Sequence, residues 1–209
     1  NELFGRSLEM VGDVNGDNIG DFVVSAYKND FKESDSGRAY LFYGSSDSPL
    51  SGEYNVSLGA PPADVIFDTY FNNSRLGSDV GAVGDIDNDG DIDIVLTDLE
   101  RFLRCLINDG TGKMKIKKCG SINAFAIELG DFDNDGDLDV VHGGHEYEGT
   151  KTGIALNDGK GKFKKKIKLP VPEGNWGTVP EVSFWDLDND GDLDIVLSRA
   201  GILYVGTSI

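Results

Sequence analysis

Short apolar runs recur along the chain at Phe22-Val23-Val24, Ile94-Val95-Leu96, Val140-Val141 and Ile195-Val196-Leu197, each too short for a helix and rich in β-branched side chains. Such runs, bounded by turn residues, predict buried strands. Each has companions of the same character. Segments 80–83, 125–129 and 181–185 precede the last three runs, and segments 39–43, 102–107, 154–156 and 202–205 follow the four in turn. In mid-chain a hairpin turn comes next, Asn108-Asp109-Gly110-Thr111-Gly112 or Asn157-Asp158-Gly159-Lys160-Gly161, leading into strands at 114–118 and 163–169. Asp-Gly between apolar runs is a strong hairpin signal, because glycine accepts the left-handed backbone of a tight turn. No stretch keeps a 3.6-residue apolar period, so almost no helix is expected.

Immediately before each apolar run stands an acidic nine-residue loop: DVNGDNIGD at 13–21, DIDNDGDID at 85–93, DFDNDGDLD at 131–139 and DLDNDGDLD at 186–194. Short oxygen-bearing side chains at loop positions one, three, five and nine converge only if the chain turns tightly, and such convergence suits a hard cation. Calcium accepts six to eight oxygens in flexible geometry, whereas magnesium demands a near-ideal octahedron and keeps its water. One Ca²⁺ per loop, up to four in all, is therefore expected. The ligand positions are Asp13, Asn15, Asp17, Ile19 and Asp21; Asp85, Asp87, Asp89, Asp91 and Asp93; Asp131, Asp133, Asp135, Asp137 and Asp139; and Asp186, Asp188, Asp190, Asp192 and Asp194. Ile19 cannot ligate through its side chain. A site common to all four loops thus takes a backbone carbonyl at position seven, with Gly90 permitting the turn in the second loop.

An EF-hand is excluded. It needs a glutamate at position twelve and flanking helices, whereas this chain has Val24, Leu96, His142 and Leu197 there. Charge agrees with metal sites. Of 37 acidic residues, 18 lie in the loops and 19 elsewhere, balancing the 19 Lys and Arg, so the formal charge of −18 is local to the loops. Carboxylates about 5 Å apart repel by roughly 3 kcal/mol at an effective dielectric of about 20, so metal is expected to order these loops.

The loops start at 13, 85, 131 and 186, and spacings of this size with four strands per unit predict β-propeller blades. Approximate repeats are 1–70, 71–120, 121–172 and 173–209. The chain resembles the FG-GAP and VCBS repeats of integrin α-subunit head domains and of many microbial surface proteins. Phe4-Gly5 stands nine residues before Asp13 and Leu76-Gly77 nine before Asp85, while Gly37-Arg38-Ala39-Tyr40-Leu41-Phe42-Tyr43-Gly44 resembles the strand closing an integrin-type repeat. Ser25-Ala26-Tyr27 departs from the "GAP" element, and the Asn-Asp-Gly turns are closer to the VCBS form. The resemblance implies an all-β propeller with calcium in loops on one face. Family propellers usually close with seven blades and this length holds at most four, so a fragment of a larger propeller is expected, with a closed four-bladed ring as the alternative.

A composition of 39% hydrophobic residues, with 11 Phe and 7 Tyr, suffices for a core, and no run of 18 apolar residues could cross a membrane. Absence of an initiator Met suggests a processed or excised chain. Asn55-Val56-Ser57 and Asn72-Asn73-Ser74 are N-glycosylation acceptors. If Ile107 faces Met114 across their hairpin, Cys105 and Cys119 fall on opposite faces, so two half-buried free thiols are expected, although a bulge would reverse that parity.

No enzyme is expected. His142-Gly143-Gly144-His145-Glu146 lacks the second histidine of a His-Glu-x-x-His zinc site, and His142 is expected to be packed. Lys160 to Lys168 reads as an outer strand with a solvated lysine face. The expected function is an extracellular calcium-binding adhesion or scaffold module. It would bind a protein or glycan ligand through the face opposite the metals, alongside remaining blades of the same or another chain, without nucleic acid or membrane insertion. The alternative is a non-catalytic accessory or carbohydrate-binding domain of a larger secreted enzyme or toxin. With only Trp176 and Trp185, aromatic sugar platforms are not expected to dominate.

Overall fold

The computed structural model describes residues 3–46, 63–100, 102–144, 152–169, 179, 181–199 and 202–206. They form antiparallel β-sheets, and no helix occurs among the described residues. The first sheet runs β1 (Phe4–Gly12), β2 (Asp21–Ala26), β3 (Arg38–Phe42) and β4 (Val65–Asp68), each strand bonded to the next. The second repeats this order with β5 (Val80–Gly84), β6 (Asp93–Thr97), β7 (Leu103–Ile107) and β8 (Lys115–Gly120). The third has β9 (Ala124–Gly130), β10 (Asp139–Gly144), β11 (Gly153–Leu156) and β12 (Lys165–Lys168), and the fourth β13 (Glu181–Trp185), β14 (Asp194–Arg199) and β15 (Ile202–Gly206).

The sheets stack face to face in chain order because their middle strands are apolar on both faces, as strands covered on both sides must be. β2, β6 and β10 bury almost every residue. Between the first two sheets, Val11, Val23 and Leu41 meet Leu76, Ile94 and Leu106. Between the second and third, Val95, Leu103 and Cys105 meet Ile127, Val140 and Phe163. Between the third and fourth, Val141, Ile154 and Leu156 meet Val182, Ile195 and Leu197. The first strands β1, β5, β9 and β13 lie beside one another in that order. A Cβ at Gly81 in β5 would strike the carbonyl of Ile127 in β9, which is why the closest approach carries a glycine.

The expected outer lysine strand is present. β12 forms the edge of its sheet with its three lysines exposed and Ile167 half-buried. Such an edge resists pairing with another strand.

One expectation fails. Cys105 and Cys119 are bridged, with Cα atoms 5.8 Å apart. The reason is register: Ile107 pairs with Lys115 rather than Met114, because the turn holds one residue more than the sequence suggested. Cys105 then opposes Lys117, and a bulge between the Leu103 and Arg104 pairings absorbs Cys119 two residues farther along the same face. Both cysteines are buried in the core beside Phe163.

His142 on β10 is packed, 4% exposed, with Nδ1 unpartnered among the described residues. Burial strips its hydration and lowers its pKa to about 4, with the Lys166 ammonium adding to the effect. The imidazole is therefore neutral in the fold, while in the unfolded chain it titrates near 6.5. As pH falls through that window the unfolded chain takes up the proton and the folded chain does not, so stability is lost, by about 2 kcal/mol at pH 5. His142→Leu, which installs the residue found at Leu96 and Leu197, should remove this loss. Its melting advantage over the wild type should widen as pH drops from 7 to 5; a pH-independent gap would contradict a neutral buried histidine.

Candidate metal centres

Each acidic loop connects the first strand of a sheet to the second, so all lie at the same end of the stack. Their turn is built by two left-handed residues. Asn88 (φ 59°) and Gly90 (φ 94°), Asn134 (56°) and Gly136 (92°), and Asn189 (61°) and Gly191 (97°) occupy positions four and six. The first loop exchanges the two types, Gly16 (79°) at four and Asn18 (66°) at six, and keeps both conformations. Asn and Gly tolerate this region best, so the swap costs little.

This turn folds the backbone onto the carboxylates. At position one, Asp85 accepts from the N–H of Asp89 at 3.1 Å and Gly90 at 2.9 Å, as Asp131 does from Asp135 and Gly136 and Asp186 from Asp190 and Gly191. Asp13 accepts from Gly16, Asp17 and Asn18. For Asp13, burial pulls the pKa up but these N–H donors outweigh it and hold the group below the usual carboxylate value. At position five, Asp17, Asp89, Asp135 and Asp190 accept from the position-seven N–H at 2.8–3.0 Å.

Position nine is the anchor. Asp21, Asp93, Asp139 and Asp194 are at most 1% exposed. One oxygen of each accepts from the position-two N–H, of Val14, Ile86, Phe132 and Leu187 respectively. In the first three the other oxygen takes an N–H from just beyond the neighbouring third strand, of Gly44, Asn108 or Asn157, each at 2.8 Å. Loss of hydration pushes Asp93 and Asp139 up to about 6 despite these donors, and the neighbouring carboxylates at positions three and five add to the rise.

Positions one, three and nine converge. One carboxylate oxygen from each of Asp85, Asp87 and Asp93 lies within 4.8 Å of the others, as in Asp131, Asp133 and Asp139 and in Asp186, Asp188 and Asp194. In the first loop Asn15 stands at position three, its amide donating to Asp17 at 3.1 Å. Lost hydration and then the position-five carboxylates raise the pKa of Asp87, Asp133 and Asp188. The Oδ1 of Asp87 is buried with no hydrogen-bond donor. An unpartnered carboxylate oxygen facing other carboxylates is what a cation would satisfy, so the residues present fit a metal ion of hard-oxygen preference. Bound there, the ion supplies positive charge that neutralises the carboxylates and ties loop to strand.

The side chains at position seven do not join this convergence. Asp137 accepts from Asn88 of the preceding loop at 2.7 Å and Asp192 from Asn134 at 3.0 Å, which leaves position seven its backbone oxygen. Asn108 and Asn157 also link neighbouring sheets. Asn108 Nδ2 donates to Val14 O, and Asn157 Nδ2 to Ile86 O, each at 2.8 Å. Sequence reasoning read these asparagines only as turn formers, though their fixed place beside Asp-Gly was a signal.

The fold and its loops coincide with a known repeat. The FG-GAP-like repeat family matches residues 85–142 and 147–197, and the chain belongs to that family. No curated protein matches significantly. Among solved structures, the V. cholerae biofilm matrix protein Bap1 is similar at 18% identity and a TM-score of 0.47, over 93% of this chain and 28% of that one. The chain thus spans well under a third of that protein.

Proposed function

We propose that this chain is an extracellular, calcium-stabilised β-propeller module that presents loops for adhesion to a protein or glycan. The stacked four-stranded sheets are read as its blades and the acidic loops as its metal sites, one Ca²⁺ in each. The observation that carries the reading is the convergence of carboxylates at positions one, three and nine, repeated with the same backbone hydrogen bonds. Oxygen-only donors on a flexible loop favour calcium over magnesium. The Cys105–Cys119 bridge supports an oxidising, extracellular compartment, and no described helix is long and apolar enough to cross a membrane. No catalytic chemistry is assigned. Calcium's role is structural: it clamps each loop so that the opposite loops are held in fixed register, and at ten times its dissociation constant each independent site adds about 1.4 kcal/mol.

The test is metal stoichiometry with thermal melting in calcium, magnesium and chelator. Near four calcium ions per chain, with a rise in melting temperature that magnesium does not reproduce, is the expected result. No bound metal and no shift would reduce the loops to ordinary turns.

A further inference from the structure

In an antiparallel meander the loops alternate ends, so the β2–β3, β4–β5 and β6–β7 connections gather opposite the acidic loops. Strands of five to six residues separate the two ends by roughly 17–20 Å. At this far end three large rings stand in solvent: Phe31 is 66% exposed, Tyr70 70% and Phe71 52%. They come from distant parts of the sequence. Segment 70–76 is laid on the 29–37 turn by Ser34 N–H to Asn72 Oδ1, Asn73 N–H to Ser34 O and Arg75 N–H to Asp35 O. Contiguous exposed rings on a folded surface mark an interaction site.

Cations are interleaved with these rings. Lys32 Nζ lies 5.1 Å from the ring centres of both Phe31 and Tyr70, and Lys118 Nζ lies 3.7 Å from Phe102 and 5.9 Å from Phe71. The nearby arginines have carboxylate partners: Arg38 holds Asp68 and also lies 4.0 Å from the Phe31 ring centre, which leaves Tyr70 and Phe71 as the more open rings, while Arg75 holds Asp35 and Arg104 holds Asp98 and Glu100. Lys32 and Lys118 have no carboxylate partner among the described residues, in a chain with 37 acidic and 19 basic side chains. Glu33 is exposed on the same turn. The acidic loops stand at the other end of the strands, so salt weakens their field at this surface.

We infer that this surface binds an acidic glycan, its rings stacking on pyranose faces while Lys32 and Lys118 pair with the carboxylates of uronate units. The inference rests on the adhesion reading above and names its ligand class. A uronate unit carries a flat C–H face and a carboxylate on one rigid ring, and can satisfy an aromatic ring and the ammonium about 5 Å from it together. An acidic peptide puts its carboxylates on flexible stems with no flat apolar face beside them, and loses more entropy on ordering. Phenylalanine and tyrosine here supply the platform that tryptophan content alone did not suggest.

The test uses the calcium-saturated chain, made without N-glycosylation because Asn72 adjoins Phe71, and a galacturonate hexamer too short to gel. Binding should weaken with salt. Tyr70→Ser should weaken it about tenfold, and Lys118→Gln about fivefold with a shallower salt dependence, both with unchanged melting temperature. Equal affinity for polyglutamate or single-stranded DNA, or no response to either substitution, would overturn the glycan assignment while leaving the calcium-dependent melt, and hence the module reading, intact. Failure of that melt would instead remove the module reading, whatever the hexamer does.

Discussion

Asp139→Ala should cost about 3 kcal/mol, lowering the melting temperature by roughly 6–12 °C. Asp139 is 1% exposed and accepts two backbone N–H groups, from Phe132 in its own loop at 3.2 Å and from Asn157 in the hairpin turn at 2.8 Å. Alanine leaves both donors buried and unpaired, at about 1–3 kcal/mol each. The damage spreads, because the Asn157 side chain freed from this anchor is the one that holds Ile86 of the neighbouring sheet. Asp139→Asn keeps one acceptor oxygen and should lose about half as much. A loss below about 1 kcal/mol for alanine would show that the carboxylate does not hold loop and turn together.

Opening the Cys105–Cys119 bridge should be about as costly. The cysteines are 14 residues apart, and a bridge closing a loop of that size contributes about 3 kcal/mol, chiefly by restricting the unfolded chain. A Cys105→Ala, Cys119→Ala double variant should therefore melt roughly 6–12 °C below the oxidised wild type and coincide, within a few degrees, with the reduced wild type. Alanine is the right replacement because both sites are buried among Leu103, Ile122 and Phe163, where serine would add an unpaired hydroxyl. Quantitative alkylation of both thiols in the native, unreduced protein would contradict the bridge.

The loops were legible because their chemistry is local: nine residues contain the carboxylates, the left-handed turn and the apolar strand that anchors it. Ile19, whose side chain has no oxygen, is what pointed the expected ligand at position seven to the backbone. What stayed hidden depends on contacts between distant segments. β4 (Val65–Asp68) was not foreseen, since four residues of mixed burial carry little periodic signal. The disulfide turned on a register shifted by one residue, which flips every side chain in a strand to the other face. Asn88 and Asn134 looked like turn formers until the stack placed Asp137 and Asp192 opposite them. The aromatic face could not be read at all, because Phe31, Tyr70 and Phe102 meet only through the packing of three connections. Trp185, the tryptophan among the described residues, is 72% exposed elsewhere, on β13; Trp176 and the Asn55 glycosylation triplet lie outside the described residues, as does His145.

Position three separates metal binding from turn formation better than position one. Asp85 and Asp131 accept backbone N–H groups, so their loss should destabilise the loops with or without metal. Asp87 instead faces other carboxylates with its Oδ1 unpartnered. The decisive measurement is the melting temperature of Asp87→Asn against wild type, in saturating calcium and in chelator. If these loops are calcium sites, the variant melts lower than wild type in calcium and equal to or higher than wild type in chelator, where removing a repelled charge relieves the loop. A variant that melts lower by the same amount in both would contradict the account, because Asp87 would then be serving the turn and not the ion.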